Sequence, residues 1–149
     1  MSGSGIYVSD ESMRALVEEV VEAFNAHDLD RVADWYAEDA LHYQPNRTDP
    51  LRGRDAIRED YREATWVPFP DFRIDLERAF GQGEWLCVQA IFTGTHEGPL
   101  EGAGGETIPA TGRSVRVAIC LVVRMEDGKA VEVYEYNDQL GFLAQLGLA

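Results

Sequence analysis

The chain has 149 residues, 45% of them hydrophobic, and carries 27 acidic against 13 basic side chains, for a formal net charge of −14 at pH 7. This length and composition are typical of one globular domain, and the acidity argues against nucleic acid or an anionic membrane as a partner. No apolar run approaches the roughly 18 residues of a membrane span, so we expect a cytoplasmic protein, with residues 1–9 flexible and residues 10–149 forming a single domain.

The first half of the chain is predicted to hold three helices and one short strand. Apolar residues recur at helical spacing from Met13 to Phe24, so residues 10–26 form an amphipathic helix. The elements that follow are a short helix beginning at Asp28 or Asp30 and carrying Val32, Trp35 and Tyr36, a strand over residues 40–44, a loop over residues 46–53, and a third helix over residues 54–65.

From Pro70 onward the pattern changes to strands. Apolar and charged residues alternate in a strand that ends near Gly81, and Gln82-Gly83 is predicted as a hairpin turn leading into a long apolar strand over residues 84–96. Residues 97–112 contain five Gly and two Pro. We expect a loop there, either a lid over a pocket or a disordered segment.

The segment Glu126 to Lys129 joins two further strands. A three-residue loop with Gly128 in the left-handed conformation would pair Met125 with Lys129 and Ile119 with Glu135. This register places the carboxyl group of Glu135 among apolar side chains, where its charged form is disfavoured. Helices followed by strands predict an α+β fold, in which a strongly curved antiparallel sheet wraps around three helices as a cone and a short helix follows.

Several short motifs, in this order, resemble one superfamily. AFNAHD, WYAEDA and GRDAI resemble the nuclear transport factor 2-like superfamily, and GTHEGPL, PATGR, MEDGK and QLGFLAQLG resemble its SnoaL-like polyketide cyclases and the related ester cyclases. The resemblance covers about residues 10–147. It implies the cone-shaped fold, chemistry without a cofactor, and subunits that pair through their sheets as a homodimer. The superfamily also hosts isomerases, epoxide hydrolases and non-enzymes, so function depends on the site.

The resemblance implies a role for Glu135. In the SnoaL-like cyclases an Asp late in the last strand is the general acid/base, and counting from the Asp-Gly-Lys turn places Glu135 there. Those cyclases have polar side chains on the preceding strand, where this chain has Ile119 and Leu121. Epoxide hydrolases and ketosteroid isomerases of this fold are disfavoured. The Arg-x-Asp pair of the hydrolases reads Gln89-Ala90-Ile91 here, and the Asp base of the isomerases is replaced by Gln44.

The candidate site residues fall into two groups. Glu135 and His42 are the predicted catalytic pair, with His42 orienting Glu135 or sharing its proton. The predicted substrate-binding residues are Gln44, Gln89 and His96. Each of the three ionisable candidates has a structural alternative: Glu135 could be solvated or paired with Arg116 or Arg124, His42 could be a core histidine, and His96 could be a surface residue paired with Glu97.

We therefore predict a cofactor-independent enzyme that acts by acid/base chemistry on a small hydrophobic, polyketide-like carbonyl compound, through aldol cyclisation or isomerisation. The alternative is a non-catalytic module that holds a small hydrophobic ligand or a protein partner. The histidines have no metal-ligand spacing, so we expect no metal. Cys87 and Cys120 lie in apolar strands and are predicted to be buried reduced thiols.

Overall fold

The computed structural model describes residues 10–149, so the flexible segment predicted for residues 1–9 lies outside the described residues. The helices are α1 (Asp10–Asn25), α2 (Leu29–Asp34), α3 (Arg54–Tyr61) and α4 (Gln139–Gln145), and a π-helical turn (Arg62–Trp66) continues α3. The strands are β1 (Tyr36–Tyr43), β2 (Leu51–Arg52), β3 (Arg73–Gln82), β4 (Trp85–Thr95), β5 (Leu100–Glu101), β6 (Thr107–Ile108), β7 (Ser114–Glu126) and β8 (Lys129–Asn137).

Six strands form one sheet in the order β2-β1-β8-β7-β4-β3. All its neighbours are antiparallel except β1 and β8, which run parallel. The helices of the first half pack on one side of this sheet, with α1 against β3 and α3 against β1. The predicted α+β fold is confirmed, with one parallel strand pair that the sequence pattern did not indicate.

The amphipathic pattern of α1 explains its packing. Met13, Val17, Val20 and Ala23, three or four residues apart, are all buried, whereas the acidic residues between them face solvent. The sheet supplies the other half of the core through alternate residues of its strands. Val88 of β4, for example, is buried against the helices.

The buried side chains form two clusters. The larger core cluster contains, among others, Val17, Tyr36, Ile57, Val123 and Val133. The smaller core cluster consists of Phe69, Phe72, Phe92, Val115, Val117 and Leu146. Apolar side chains that are only partly buried lie between the two clusters, and this is where the candidate site is found.

The register predicted for the β7–β8 hairpin is wrong by two residues. Asp127 and Gly128 both have positive φ, 51° and 75°, as in a two-residue type I′ turn. Glu126 therefore pairs with Lys129, and after an irregularity beyond Met125 the ladder pairs Glu135 with Leu121 rather than Ile119. Because the shift is an even number of residues, Glu135 keeps its predicted face.

Three other element predictions are corrected. Tyr36 begins β1 instead of lying in α2, because the helix ends at Asp34. Gln82 pairs with Trp85, so Gly83, at φ 62°, and Glu84 form the β3–β4 turn. The segment 97–112 contains the ribbon of β5 and β6, and backbone hydrogen bonds between His96 and both Gly112 and Arg113 tie its ends together. Its action as a lid stays a prediction.

Candidate active site

Glu135 lies on the inner face of β8 with both carboxylate oxygens in hydrogen bonds. Nε2 of His42 lies 3.0 Å from Oε1, and Nδ2 of Asn137 donates to Oε2 at 2.8 Å. The Glu135 side chain is 20% exposed, whereas that of His42 is 1% exposed. The carboxylate is therefore held by a buried ring on one side while part of it stays accessible on the other.

The side chains beside Glu135 on the neighbouring strand are incompletely buried. On the inner face of β7, Val117 and Val123 are buried, but Ile119 and Leu121 between them are only partly buried. Leu121 is the cross-strand partner of Glu135. The partly buried apolar side chains that pack against the two core clusters include Phe24, Tyr61, Trp66, Ile119, Leu121 and Phe142. We call the region that these six side chains surround the cleft.

His42 is held between aromatic rings. It stacks on Tyr36 with centroids 5.9 Å apart and an interplanar angle of 21°, and its centroid lies 6.0 Å from that of Tyr61. Because the partner of Nε2 is a carboxylate, which only accepts, Nε2 carries the hydrogen of this contact. Nδ1 is buried and has no hydrogen-bond partner among residues 10–149.

Two tyrosines border the same region. The hydroxyl groups of Tyr36 and Tyr61 are hydrogen-bonded to each other. Burial raises the pKa of both phenols above the usual range, and the negative charge of Glu135 raises them further, although the bond from Tyr61 partly offsets this for Tyr36. Both side chains are therefore neutral at physiological pH.

Gln44 is not free to face the cleft. Its Nε2 donates to Oδ2 of Asp60 at 2.8 Å, and its Oε1 accepts from Nε of Arg47 at 3.0 Å. Arg47 also contacts Asp60 of α3, at 3.2 Å, so Gln44, Arg47 and Asp60 form a hydrogen-bonded cluster beside the end of β1. A substrate contact by Gln44 would have to replace one of these bonds, and that role stays a prediction.

The structure separates Gln89 from Glu135. Val88 and Ala90 point inward, so Gln89 lies on the outer face of β4, where it accepts a hydrogen bond from Arg78. Arg124, one of the two alternative Arg partners of Glu135, lies on that same face and pairs with Glu126 and Glu132. Strand alternation therefore sends Gln89 and Glu135 to opposite sides of the sheet, and a substrate contact by Gln89 stays a prediction.

His96 is fully buried rather than on the surface. Its Nδ1 lies 3.0 Å from Oγ1 of Thr111 and accepts from the Thr111 backbone N–H at 3.2 Å, whereas its predicted pairing with Glu97 is absent from the described contacts. Burial lowers the pKa of His96, and the backbone of Gly98 partly offsets this effect. His96 packs 5.5 Å from Phe69 of the smaller core cluster, and its hydrogen bonds go to Thr111 rather than to Glu135. A substrate contact by His96 stays a prediction.

The residues that the sequence analysis missed are Tyr36, Tyr61 and Asn137. Asn137 could have been found, because residues two apart on a strand share a face. Tyr61 is at an inward position of the third helix, but nothing in the sequence indicates its contact with Tyr36. Tyr36 was placed on the wrong element.

The cysteines lie on the outer face of the sheet. Cys87 and Cys120 are free thiols, half-buried, with their Sγ atoms 3.7 Å apart. Burial raises the pKa of Cys87 to about 11, and the neighbouring Cys120 adds to the effect. They are less buried than the apolar strand pattern predicts.

Other features of the described residues do not involve Glu135. Two cavities, of about 460 Å³ and about 120 Å³, lie near the tip of the β7–β8 hairpin, and neither is lined by Glu135 or His42.

Residues 10–149 contain no group of three or more side chains placed to ligate a metal. Within that same range, no helix combines the length and apolar character needed to cross a membrane.

Comparisons with known proteins identify a family and several relatives. The model of the family described as SnoaL-like polyketide cyclase matches residues 14–146. Two aklanonic acid methyl ester cyclases, DauD of Streptomyces sp. (strain C5) and DnrD of Streptomyces peucetius, are each 29% identical over 136 residues; these cover 89% of this chain, 80% of DauD and 88% of DnrD. The structure of TsrD from Streptomyces laurentii is 25% identical, with a TM-score of 0.79, over 95% of this chain and 99% of that one.

Proposed function

The chain belongs to the SnoaL-like polyketide cyclase family and is a polyketide cyclase-like enzyme, and from that premise we propose that Glu135 is its general acid/base and His42 the residue that orients it. One observation carries the proposal: a buried imidazole donates to a partly exposed carboxylate at the edge of an apolar cleft. A general base must be held within hydrogen-bond reach of the proton it takes, and Glu135 is both held and accessible.

The reaction we propose is an intramolecular aldol cyclisation. Glu135 takes a proton from a carbon next to a carbonyl group, and the resulting enolate carbon forms a bond to a second carbonyl carbon of the same molecule. The oxygen of that second carbonyl then receives the proton back from Glu135. No atom is gained or lost, so the step needs no redox partner. The donated hydrogen of His42 stays on Nε2 throughout and keeps the carboxylate aimed at the cleft.

The cleft suits a flat hydrophobic carbonyl compound. Phe24, Tyr61 and Trp66 form connected ring contacts, with Phe24–Tyr61 centroids 5.3 Å apart and Phe24–Trp66 centroids 5.8 Å apart. Aromatic walls favour stacking on a planar ligand. Because DauD and DnrD act on aklanonic acid methyl ester, that compound is the first substrate to test.

The test compares the purified wild-type protein with Glu135→Gln, which keeps the shape and removes proton transfer. Chromatography of the product, whose mass equals that of the substrate, measures cyclisation. We expect wild-type turnover and a loss of at least about 100-fold in Glu135→Gln. A Glu135→Gln variant as fast as the wild type overturns the role of Glu135, and a wild type that binds the ester without converting it overturns the proposed substrate.

A second candidate function is ligand binding without chemistry. Ile119 and Leu121 border the cleft at positions where the resemblance implies polar residues in the cyclases. A binding module would hold aklanonic acid methyl ester unchanged, with an affinity that does not depend on whether residue 135 is Glu or Gln. Turnover by the wild type distinguishes the two functions.

We also propose that a second copy of the chain covers the outer face of the sheet. Phe80 is 56% exposed there, Trp85 41% and Tyr136 56%, and Val122 and Tyr134 lie between them. Large exposed aromatic side chains are enriched at interfaces. Sedimentation is expected to give a dimer, and a single species at the monomer mass of 16.6 kDa would contradict this.

A further inference from the structure

A chain of side-chain amides leads from the last helix to Glu135. Gln139, the first residue of α4, donates from Nε2 to Oδ1 of Asn137, and Asn137 donates from Nδ2 to Oε2 of Glu135 at 2.8 Å. We propose that Asn137 is a positioning residue for Glu135 and that Gln139 fixes the direction in which the Asn137 amide faces. This inference rests on the proposed function of Glu135.

The orientation of the Asn137 amide follows from its two neighbours. A side-chain amide has one accepting end and one donating end. Gln139 presents its NH₂ group to the Asn137 oxygen, so the Asn137 NH₂ group faces Glu135. The reverse orientation would set the Asn137 carbonyl against a carboxylate oxygen and the two NH₂ groups against each other. Both oxygens of Glu135 are therefore acceptors, one toward His42 and the other toward Asn137.

This arrangement compensates for the length of the Glu side chain. The resemblance implies an Asp at this position in the cyclases, and Glu has one more rotatable bond. Contacts at both oxygens remove that extra freedom, since His42 reaches Oε1 from β1 and Asn137 reaches Oε2 from the strand of Glu135 itself. A catalytic group held in a productive direction gains rate over one that samples several.

Both ends of α4 are anchored. Asp138 caps its start by accepting from the Gly141 N–H at 2.8 Å, and Gln145 bonds both the N–H and the C=O of Arg116, at 2.7 Å and 3.1 Å. The amide chain thus links Glu135 to a helix that is fixed against β7. Because Gln139 belongs to this helix, its hydrogen bond holds the Asn137 side chain in place relative to the helix.

The experiment removes the donor in two ways. Asn137→Leu deletes the amide, and Asn137→Asp keeps its shape while replacing the donor with a like charge. Glu135 is followed by carbon NMR of protein labelled at the Glu side-chain carboxyl carbons, with its signal assigned by its loss in Glu135→Gln. We expect the Glu135 carboxyl signal to move in both Asn137 variants, because Oε2 loses its donor in each. Asn46→Leu, the same change in an exposed turn, should leave the signal at its wild-type position.

Kinetics with aklanonic acid methyl ester give a second readout. In Asn137→Leu we expect kcat to fall about tenfold with little change in KM, because the amide positions Glu135 and does not bind the substrate. Gln139→Leu should give a smaller change in the same direction. It also carries the test if circular dichroism shows that an Asn137 variant fails to fold.

The outcomes separate this inference from the proposed function. If Glu135→Gln is inactive while Asn137→Leu keeps both the wild-type kcat and the wild-type carboxyl signal of Glu135, the positioning role of Asn137 is overturned and the role of Glu135 stands. If Glu135→Gln is as active as the wild type, the proposed function fails, and the carboxyl signal of Glu135 in the Asn137 variants still reports whether Asn137 contacts the carboxylate.

Discussion

Replacing His42 by Leu removes the donor to Glu135 while keeping a side chain of similar volume. The lost contact is a hydrogen bond from a buried ring to a carboxylate, 3.0 Å long. Hydrogen bonds to charged groups contribute about 1.5–3 kcal/mol, so if the contact is fully used in the transition state, its loss lowers the rate by about 10- to 150-fold. We expect kcat to fall within that range.

The stability of His42→Leu should change much less than its rate. The ring is 1% exposed, and its Nδ1 has no partner among the described residues, a situation that costs about 1–3 kcal/mol. Leu removes this cost but loses the two ring contacts with Tyr36 and Tyr61, each worth about 0.5–1.5 kcal/mol, and the hydrogen bond to Glu135, which water can partly replace. These contributions offset one another to within about 1 kcal/mol.

Urea unfolding followed by circular dichroism measures the stability, and initial rates with aklanonic acid methyl ester measure the activity. Val17→Ala is the matched control. Val17 is fully buried in the larger core cluster, so this change should lower the free energy of unfolding by about 2 kcal/mol and leave the rate per folded molecule unchanged. A His42→Leu variant with the wild-type rate, or one destabilised as much as Val17→Ala, refutes the reasoning.

Three further predictions follow from the other buried or titratable groups. Tyr61→Phe leaves the Tyr36 hydroxyl buried without its partner and should lower the free energy of unfolding in urea by about 1–3 kcal/mol. Adding Tyr36→Phe should recover part of that loss, and simple additivity of the two changes would contradict this. Because burial raises the pKa of Cys87 to about 11, its reaction with a disulfide reagent in a Cys120→Ser background should accelerate about tenfold per pH unit between pH 8 and 10. A rate that levels off below pH 9 would contradict the raised pKa. Burial lowers the pKa of His96, so the unfolded chain takes up the proton first and the free energy of unfolding falls as the pH drops below about 6.5. His96→Gln should therefore lose less stability than the wild type between pH 7.5 and 5.5, and an equal loss in the two proteins would contradict this role of His96.

The sequence carried enough information for the fold because its signals are local. The helical spacing of Met13, Val17 and Val20 and the alternation in the later strands each depend on a few neighbouring residues. The hairpin register did not follow, because it depends on turn geometry: the sequence allows a two-residue or a three-residue loop around Gly128, and only the positive φ of Asp127 selects the former.

The sequence predicts the site residues whose position follows from a nearby turn, but not the contacts between residues that are distant in the chain. Glu135 was found by counting from a turn, but its contact with His42 joins residues 93 positions apart and depends on the parallel pairing of β1 with β8. No local pattern indicates that pairing. Gln89 shows the same limit, since its polar character stands out in an apolar strand while the strand's face is set by its neighbours in the sheet.

The most direct test of the central claim compares two variants at one position under single-turnover conditions. Glu135→Asp keeps a carboxylate on a shorter side chain, and Glu135→Gln keeps the length without the carboxylate. If residue 135 transfers a proton, Glu135→Asp should cyclise aklanonic acid methyl ester at least about tenfold faster than Glu135→Gln. Equal rates in the two variants, or a Glu135→Gln rate that matches the wild type, would contradict the claim.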